Sequence, residues 1–356
     1  MAFSMFSSSM LSNNILLSKP ALSNNILLPA QTSIQCANIS SDGSSIVFVN
    51  ASKNVFVSTN YGVSFTQAAD LPTIPEEICI SNGGNNIVAL QESNAIGWPI
   101  AVSQNYGYNW TITSLAAQPW GSNRICVSAD GKYICMCGGG IDGIWINNNY
   151  GDSTYWVNIN RDFDAYISVT NSDSSIIVLY ISISSSGQYM VATINCPWPS
   201  YILYSSDFGV SFSLIQSNVD TYGGPPRISS TGDFTVFGGW GGPTYSSHNI
   251  TSPTSKTFET ASSAVSTLMN SSTIPNTMFS NESGSLFYFI KETGYQLYKI
   301  YLSTDNLQSA TIYNNLISST SGRIWASSNT KYMLFWGVNS SEPWKACLRL
   351  ITNNLL

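Results

Sequence analysis

Three arginines are the side chains in this sequence best placed to bind a charged ligand. Arg124 and Arg323 each stand four residues before a serine that opens a tight turn, and Arg227 stands two residues before such a serine. Guanidinium groups bind carboxylates through paired hydrogen bonds, so three of them around one opening could hold an acidic ligand. In the alternative interpretation they pair with Glu77, which precedes its own turn in the same way, or they cap backbone carbonyl groups.

Other candidates for catalysis or metal binding give weaker signals. Glu76 with Glu77 and Asp162 with Asp164 are neighbouring acids of the kind that a glycosidase needs at a set separation, but such acids on a loop are usually only solvated. Seven cysteines and a single histidine, His248, show no spacing typical of zinc or of a disulfide framework. We therefore predict no catalytic set, no metal and no cofactor.

Four tryptophans flanked by proline or glycine form a second candidate binding set. In exposed turns they would be stacking platforms for sugars or anchors for a protein partner. Alternatively, each fills the gap between neighbouring sheets. The four positions are Trp98, Trp198, Trp240 and Trp344.

A Ser-rich turn that recurs along the chain must position these side chains. Each copy is followed by an apolar run, and its Gly, Asn or Asp tolerates the positive φ of a tight hairpin. Seven copies, 40 to 57 residues apart, predict seven repeated units. They are Ile39–Gly43, Cys79–Gly84, Cys126–Gly131, Ile183–Gly187, Ile228–Gly232, Phe279–Gly284 and Ala326–Thr330.

A second pattern, Ser-x-Asp/Asn-x-Gly-x-Ser-aromatic, occupies a later turn of several units. The Asp or Asn side chain should cap backbone N–H groups, Gly should take a left-handed conformation, and the last aromatic should pack between sheets. The matching residues are Ser58, Asn60, Gly62 and Phe65; Ser103, Asn105, Gly107 and Trp110; Asn149 and Gly151 in a looser copy; and Ser205, Asp207, Gly209 and Phe212.

This second pattern resembles the Asp-box, or bacterial neuraminidase repeat, of sialidase-type β-propellers, and the repeats resemble tandem propeller repeats of large DNA viruses and some bacteria. The resemblance covers roughly residues 36–350. It implies that Arg124, Arg227 and Arg323 surround the channel mouth where sialidases hold a substrate carboxylate. The family's Arg-Ile-Pro motif is absent from the first unit, and no Tyr/Glu nucleophile pair or acid Asp can be mapped. The Asp-box itself occurs in enzymes and non-enzymes alike.

The predicted fold is all-β, a seven-bladed propeller of four-stranded antiparallel blades over residues 34–356. Within a blade, the Ser-rich turn joins the first and second strands, the Asp-box joins the third and fourth, and the opposite face is the expected ligand face. The last unit is one strand short, and we predict that a segment near residues 26–34 supplies it. Residues 260–270 are the only predicted short helix.

Residues 1–33 form a predicted N-terminal arm. It carries an exact duplication, Leu11–Leu17 and Leu22–Leu28, of the sequence LSNNILL. These two apolar segments could dock on a partner or on the propeller. In the alternative interpretations the arm is a flexible leader or a degenerate signal peptide.

Composition excludes some partners. Charged residues make up 9% of 356, the net charge is −6 and the pI is about 4.7, so the chain lacks the basic patch of a nucleic-acid binder. No apolar run reaches the ~18 residues of a membrane span. Cysteines used as small buried hydrophobes suit assembly in a reducing cytoplasm. Few Lys and Glu on the outer strands indicate a surface packed into an assembly.

These observations predict a non-enzymatic interaction module. We expect a structural protein of a virion or extracellular surface that binds other protein subunits or host glycans. The alternatives are a glycan-processing enzyme of sialidase or endoglycanase type and an intracellular assembly scaffold.

Overall fold

The structure is a computed structural model, and it describes most of the chain from residue 34 to residue 260 and the strands on either side. The described residues are 25–26, 34–91, 98–115, 123–138, 141–159, 177–195, 200–219, 222–223, 226–237, 239–240, 245–248, 259–260, 278–280, 287–292, 298–303, 308, 311–316, 323–326, 332–339 and 342–352.

Five consecutive four-stranded sheets follow one another from residue 34, each an antiparallel meander. Sheet one is β2–β5, formed by Ile34–Ile39, Ile46–Asn50, Val55–Ser58 and Thr66–Gln67. Sheet two is β6–β9, formed by Pro75–Ile80, Ile87–Gln91, Trp98–Ser103 and Thr111–Leu115. Sheet three is β10–β13, formed by Asn123–Val127, Ile134–Gly138, Ile141–Asn147 and Trp156–Asn158, with a 3₁₀ turn at Ser153–Tyr155.

Sheet four is β14–β17, formed by Ile177–Ile183, Met190–Asn195, Ser200–Ser205 and Ser213–Val219. Sheet five is β19, β20, β22 and β23, formed by Arg227–Ile228, Phe234–Phe237, Tyr245–His248 and Glu259–Thr260. A separate two-stranded pair, β18 with β21, joins Tyr222–Gly223 to Gly239–Trp240. In the described part of the chain no helix is long and apolar enough to cross a membrane. The helix predicted at 260–270 lies outside the described residues, except for Thr260, which ends β23.

Two further four-stranded sheets are described through their backbone. Sheet six is β24–β27, formed by Met278–Ser280, Phe287–Glu292, Tyr298–Ser303 and Thr311–Leu316. Sheet seven has β28–β30 at Arg323–Ala326, Tyr332–Asn339 and Glu342–Thr352, and β1, Asn25–Ile26, forms its outer edge.

The outer strand of sheet seven comes from the N-terminal side of the chain. Asn25 pairs with Arg349 and Ile26 with Leu348. The donated strand therefore lies at the start of the predicted 26–34 segment, because Ile34 already begins β2. It also falls within the second LSNNILL copy, so part of that copy contacts the last sheet. The domain boundary at residues 33/34 stays a prediction.

The inner strands of successive sheets lie side by side. β2 neighbours β6, β6 neighbours β10, and the series continues through β14 and β19 to β24, while β2 also lies against β28 and β29 of sheet seven. The first sheet is thus placed beside the last, as in a propeller.

Burial on both faces explains why the second strands are continuously apolar. All five residues of β3 are buried, because the sheet is covered on each side. Val47 and Val49 pack with Ile78 and Ala89 of sheet two. Phe48 points the other way and stacks on Phe56 at 4.8 Å between ring centroids.

The glycines of the five described Ser-rich turns have the predicted positive φ, between 73° and 83°. In each, the serine hydroxyl accepts a hydrogen bond from the backbone N–H five residues later, at 2.9 to 3.1 Å; the serines are Ser40, Ser81, Ser128, Ser184 and Ser229. Backbone hydrogen bonds also link consecutive turns, from Asn82 N to Ala129 O at 2.8 Å and from Ala129 N to Ser185 O at 2.9 Å. The turns therefore tie neighbouring sheets together at one end of the inner strands.

Candidate functional site

Two of the three candidate arginines lie in one cluster on the inner strands. Arg124 on β10 places its guanidinium carbon 5.3 Å from the ring centre of Tyr180 on β14, a cation–π contact. Arg227 on β19 lies within electrostatic reach of Arg124 and of Glu77 on β6. Arg323 lies on β28 opposite Trp336, a backbone position that matches Arg124 opposite Cys137.

Burial dominates the electrostatics of Arg227. Burial lowers the pKa of this guanidinium, Glu77 opposes that shift, and the like charge of Arg124 adds to it. A guanidinium stays protonated under these conditions, so Arg227 remains a cation near Glu77 and Arg124 on the inner strands.

Glu77 also has a structural role in this wall. Its Oε2 accepts a hydrogen bond from Ile125 N at 2.8 Å, and the Cys79 thiol donates to Ile125 O at 3.1 Å. Asn38 does the same one sheet earlier, since its Nδ2 donates to Ile78 O at 2.9 Å. Side chains of one inner strand thus satisfy the backbone of the next. One carboxylate oxygen of Glu77 thus already accepts a hydrogen bond from the backbone of β10, and this bond stabilises the fold.

The cysteines beside this cluster are poor nucleophiles. Burial, and then the negative charge of Glu77, raise the pKa of Cys79. A hydrogen bond with Cys135, and then burial, raise the pKa of Cys126. Thiols with raised pKa values stay protonated and unreactive. Cys79, Cys126, Cys135 and Cys137 form no disulfide, and among the described residues no group of three His, Cys, Asp or Glu side chains could hold a metal ion.

The candidate tryptophans lie on strands more than in turns. Trp98 begins β8 opposite Leu115, Trp240 lies in β21, and Trp344 lies near the start of β30. Aromatic residues favour strands, which explains the difference from the expected turn positions. Trp198 lies outside the described residues. Ligand binding by these tryptophans stays a prediction.

The turns with the Ser-x-Asp/Asn-x-Gly pattern, called Asp-boxes for that sequence pattern alone, have the capping that their sequence predicts. In the first, Ser58 Oγ accepts from Gly62 N at 2.9 Å and Asn60 Oδ1 accepts from Ser64 N at 3.0 Å. The second and fourth repeat these two bonds, through Ser103 and Asn105 at 2.8 and 2.9 Å and through Ser205 and Asp207 at 2.9 and 2.9 Å.

The third box is built differently from its predicted form. Asn147 takes the place of the serine, and its Oδ1 accepts from Gly151 N at 2.8 Å. Asp152, beyond the glycine, accepts from Thr154 N at 2.9 Å and starts the 3₁₀ turn. The predicted cap residue Asn149 donates its own N–H to Asn147 Oδ1 at 2.9 Å.

The final aromatics of the boxes pack between sheets as predicted. Trp110 donates from Nε1 to Ala69 O of sheet one at 3.0 Å, and Phe212 is buried with Ile144 and Ile146 of sheet three. The second and fourth boxes therefore contact the preceding sheet as well as their own.

An aromatic residue precedes the glycine in every described box, a signal that the sequence analysis missed. These residues have left-handed backbones, with φ between 53° and 61°, directly before a glycine that is also left-handed. An L-residue pays about 1–2 kcal/mol for this conformation. The four side chains are nevertheless solvent-exposed: Tyr61, Tyr106, Tyr150 and Phe208.

The exposed large hydrophobic side chains are concentrated at these boxes. In the described part of the chain, all ten lie in an Asp-box or on the outer strand that follows it, in sheets one to four. We call this set the box rim: Tyr61, Val63, Tyr106, Tyr108, Ile112, Tyr150, Tyr155, Val157, Phe208 and Val210. The box rim lies on the face opposite to the one where the tryptophans were expected to bind.

Comparison with known proteins shows the fold. No protein-family model matches the sequence, and no curated protein matches it. The chain is similar to the β-propeller domain of Cps50 (Swd1) from Myceliophteria thermophila, with TM-score 0.62, 9% identity and coverage of 94% of this chain and 99% of that one. It is also similar to YCF48 from Cyanidioschyzon merolae, with TM-score 0.59, 14% identity and coverage of 92% and 98%.

A third similar structure is the hydrazine synthase of Kuenenia stuttgartiensis, with TM-score 0.57, 12% identity and coverage of 94% of this chain and 100% of that one. At these identities the likeness concerns the fold alone. The repeated four-stranded sheets and these neighbours together show that the chain is an all-β protein with a β-propeller fold.

Proposed function

We propose that this chain is a seven-bladed propeller that acts as a non-enzymatic interaction module, a subunit that docks on other proteins of a larger assembly through the box rim. A virus particle, assembled in a reducing cytoplasm, is the assembly that the resemblance of the repeats favours. Sheets one to seven are the seven blades, and the placement of sheet seven beside sheet one supports a ring that closes there.

The concentration of exposed hydrophobic side chains on the box rim carries this proposal. Tyrosines and other aromatic residues are enriched where protein partners dock, and the rim carries six of them exposed on four sheets. Val63 and Val210 are 84% and 76% exposed, although either position would accept a polar residue in a solvated turn. The box rim therefore exposes apolar side chains whose contact with water is unfavourable.

The low charge of the chain agrees with burial of this rim in an assembly. Only 9% of the residues are charged, against about 25% in a typical soluble domain. Lys and Glu are depleted at the cores of protein interfaces, where desolvating a charge is unfavourable.

A double charge substitution tests the docking. Val157→Lys with Val210→Lys places two cations on the box rim without touching the core, because both side chains are exposed. In the organism that makes the protein, the wild type should sediment with its assembly and this variant should sediment as a free chain. Ser52→Lys is the matched control, since Ser52 is exposed in the turn between β3 and β4 at the opposite end of the sheet. Dissociation by Ser52→Lys and not by the double variant would place the interface on the other face.

A second candidate function, binding or cleaving an acidic glycan, is favoured by one observation. Arg124 and Arg227 lie within electrostatic reach of one another on the inner strands, and guanidinium groups bind carboxylates through paired hydrogen bonds. Turnover of a fluorogenic sialoside that is abolished by Arg227→Ala would support it, and absence of turnover in the wild type would count against it.

A further inference from the structure

A groove opens between the first two Asp-boxes. Its volume is about 380 Å³, near the small end of the range for ligand sites. One wall belongs to the first box and its outer strand, and the other consists of two tyrosines of the second box. The lining residues are Val57, Thr59, Asn60, Ser64, Thr66, Gln67, Ala68, Tyr106 and Tyr108.

The walls combine two phenol rings with neutral hydrogen-bonding groups. Tyr106 is 42% exposed and Tyr108 is 56% exposed, and the facing wall presents the hydroxyl of Thr66, which lies on the same strand face as Val57. Asn60 is already engaged, since its Nδ2 donates to Ser64 Oγ at 2.9 Å. No lining residue is charged. A charged ligand would find no counter-ion here, so the lining favours a neutral one.

The second tyrosine distinguishes this groove from the equivalent places in the other described boxes. The position after the box glycine is Val63 in the first box, Tyr108 in the second, Asp152 in the third and Val210 in the fourth. Two adjacent rings therefore occur only at the second box among the described ones. They form an aromatic wall opposite the wall that carries the Thr66 hydroxyl.

We propose that this groove binds a short uncharged saccharide. The apolar C–H face of a pyranose would lie on the Tyr108 ring, with a hydroxyl group bonded to Thr66. Both walls are complementary to a molecule that has one apolar face and a rim of neutral hydroxyl groups. The inference goes beyond the proposed docking function, because saccharide binding requires no partner subunit.

Saturation-transfer NMR on the purified chain tests the site, with cellobiose, maltose and N,N′-diacetylchitobiose as neutral probes and 3′-sialyllactose as the charged comparison. We expect at least one neutral disaccharide to bind and Tyr108→Ala to weaken that binding by about tenfold, a difference of about 1.4 kcal/mol. Thr66→Val should weaken it as well, because it removes the hydroxyl on the groove face.

Val210→Ala is the matched control, because Val210 holds the position of Tyr108 in a box two blades away; it should bind like the wild type. All of these side chains are exposed, so unchanged thermal unfolding will show that the variants are folded. The proposal is overturned if none of the neutral probes binds, if only sialyllactose binds, or if Tyr108→Ala binds like the wild type. The charge variant at Val157 and Val210 leaves the groove intact, so loss of docking and loss of saccharide binding are separable.

Discussion

Gly151→Ala should destabilise the protein strongly, because this glycine combines a left-handed backbone with a close approach to the preceding sheet. Its φ is +83°, and an added Cβ would lie 2.6 Å from Val102 Cγ2 and 2.8 Å from Val102 Cγ1. The conformation alone costs an alanine about 1–2 kcal/mol, and forcing a methyl group into a packed contact costs about 1–3 kcal/mol. The expected loss is therefore about 2–5 kcal/mol.

Gly83→Ala is the matched control. Gly83 is also left-handed, at φ +73°, but an added Cβ would meet no atom closer than 4.0 Å. This variant should lose only the conformational part, about 1–2 kcal/mol. Urea unfolding of both variants beside the wild type gives the comparison, and the excess loss in Gly151→Ala measures packing of the third box against sheet two. Equal losses in the two variants would refute the contact between Gly151 and Val102.

Three further predictions concern strain, pH and thiol chemistry. Tyr150→Asn should raise the free energy of unfolding by about 0.5–1 kcal/mol, because Asn tolerates the left-handed region. The same substitution should weaken docking. A lower stability in urea would contradict the strain argument. Burial raises the pKa of Asp207, but hydrogen bonds from Ser211 outweigh burial, so the pKa of this carboxyl is lowered. The stability that the ionised Asp207 supplies should therefore be complete above pH ~4 and be lost as the pH falls further. Asp207→Ala should flatten acid unfolding in that range, and an unchanged acid limb would count against this linkage. A hydrogen bond with Cys135 and burial raise the pKa of the Cys126 thiol, so this thiol should resist iodoacetamide at pH 8 until the chain unfolds. Mass spectrometry of the labelled peptides can follow the reaction, and rapid labelling of the native protein would contradict the prediction.

The turns were predictable from sequence because their chemistry is local. An Asp or Asn cap and a glycine with positive φ depend on a few adjacent residues, so Asn60 and Gly62 could each be given a role from the sequence. The turn serines were given none, although their hydroxyl groups also accept hydrogen bonds. The order of the strands followed from these turns. The third box was less predictable, because Asn147 replaces a serine while keeping its hydrogen bond.

The binding surfaces were less predictable because they depend on contacts between sheets. Sequence alignment of the turns placed Arg124 and Glu77 at one position, yet the sharing of Glu77 Oε2 with Ile125 N required the geometry of two neighbouring strands. The box rim was missed for another reason. The Tyr-Gly pairs were visible in the sequence, but exposure of Tyr106 and Tyr150 follows only from the left-handed turn that directs them outward.

Site-specific photo-crosslinking within the native assembly tests most directly whether the box rim is the docking surface. A benzophenone side chain at Val210, which is 76% exposed on the rim, should form crosslinks to a partner subunit, and the same group at Ser52 should form none. Crosslinks from position 52 together with none from position 210 would contradict the account.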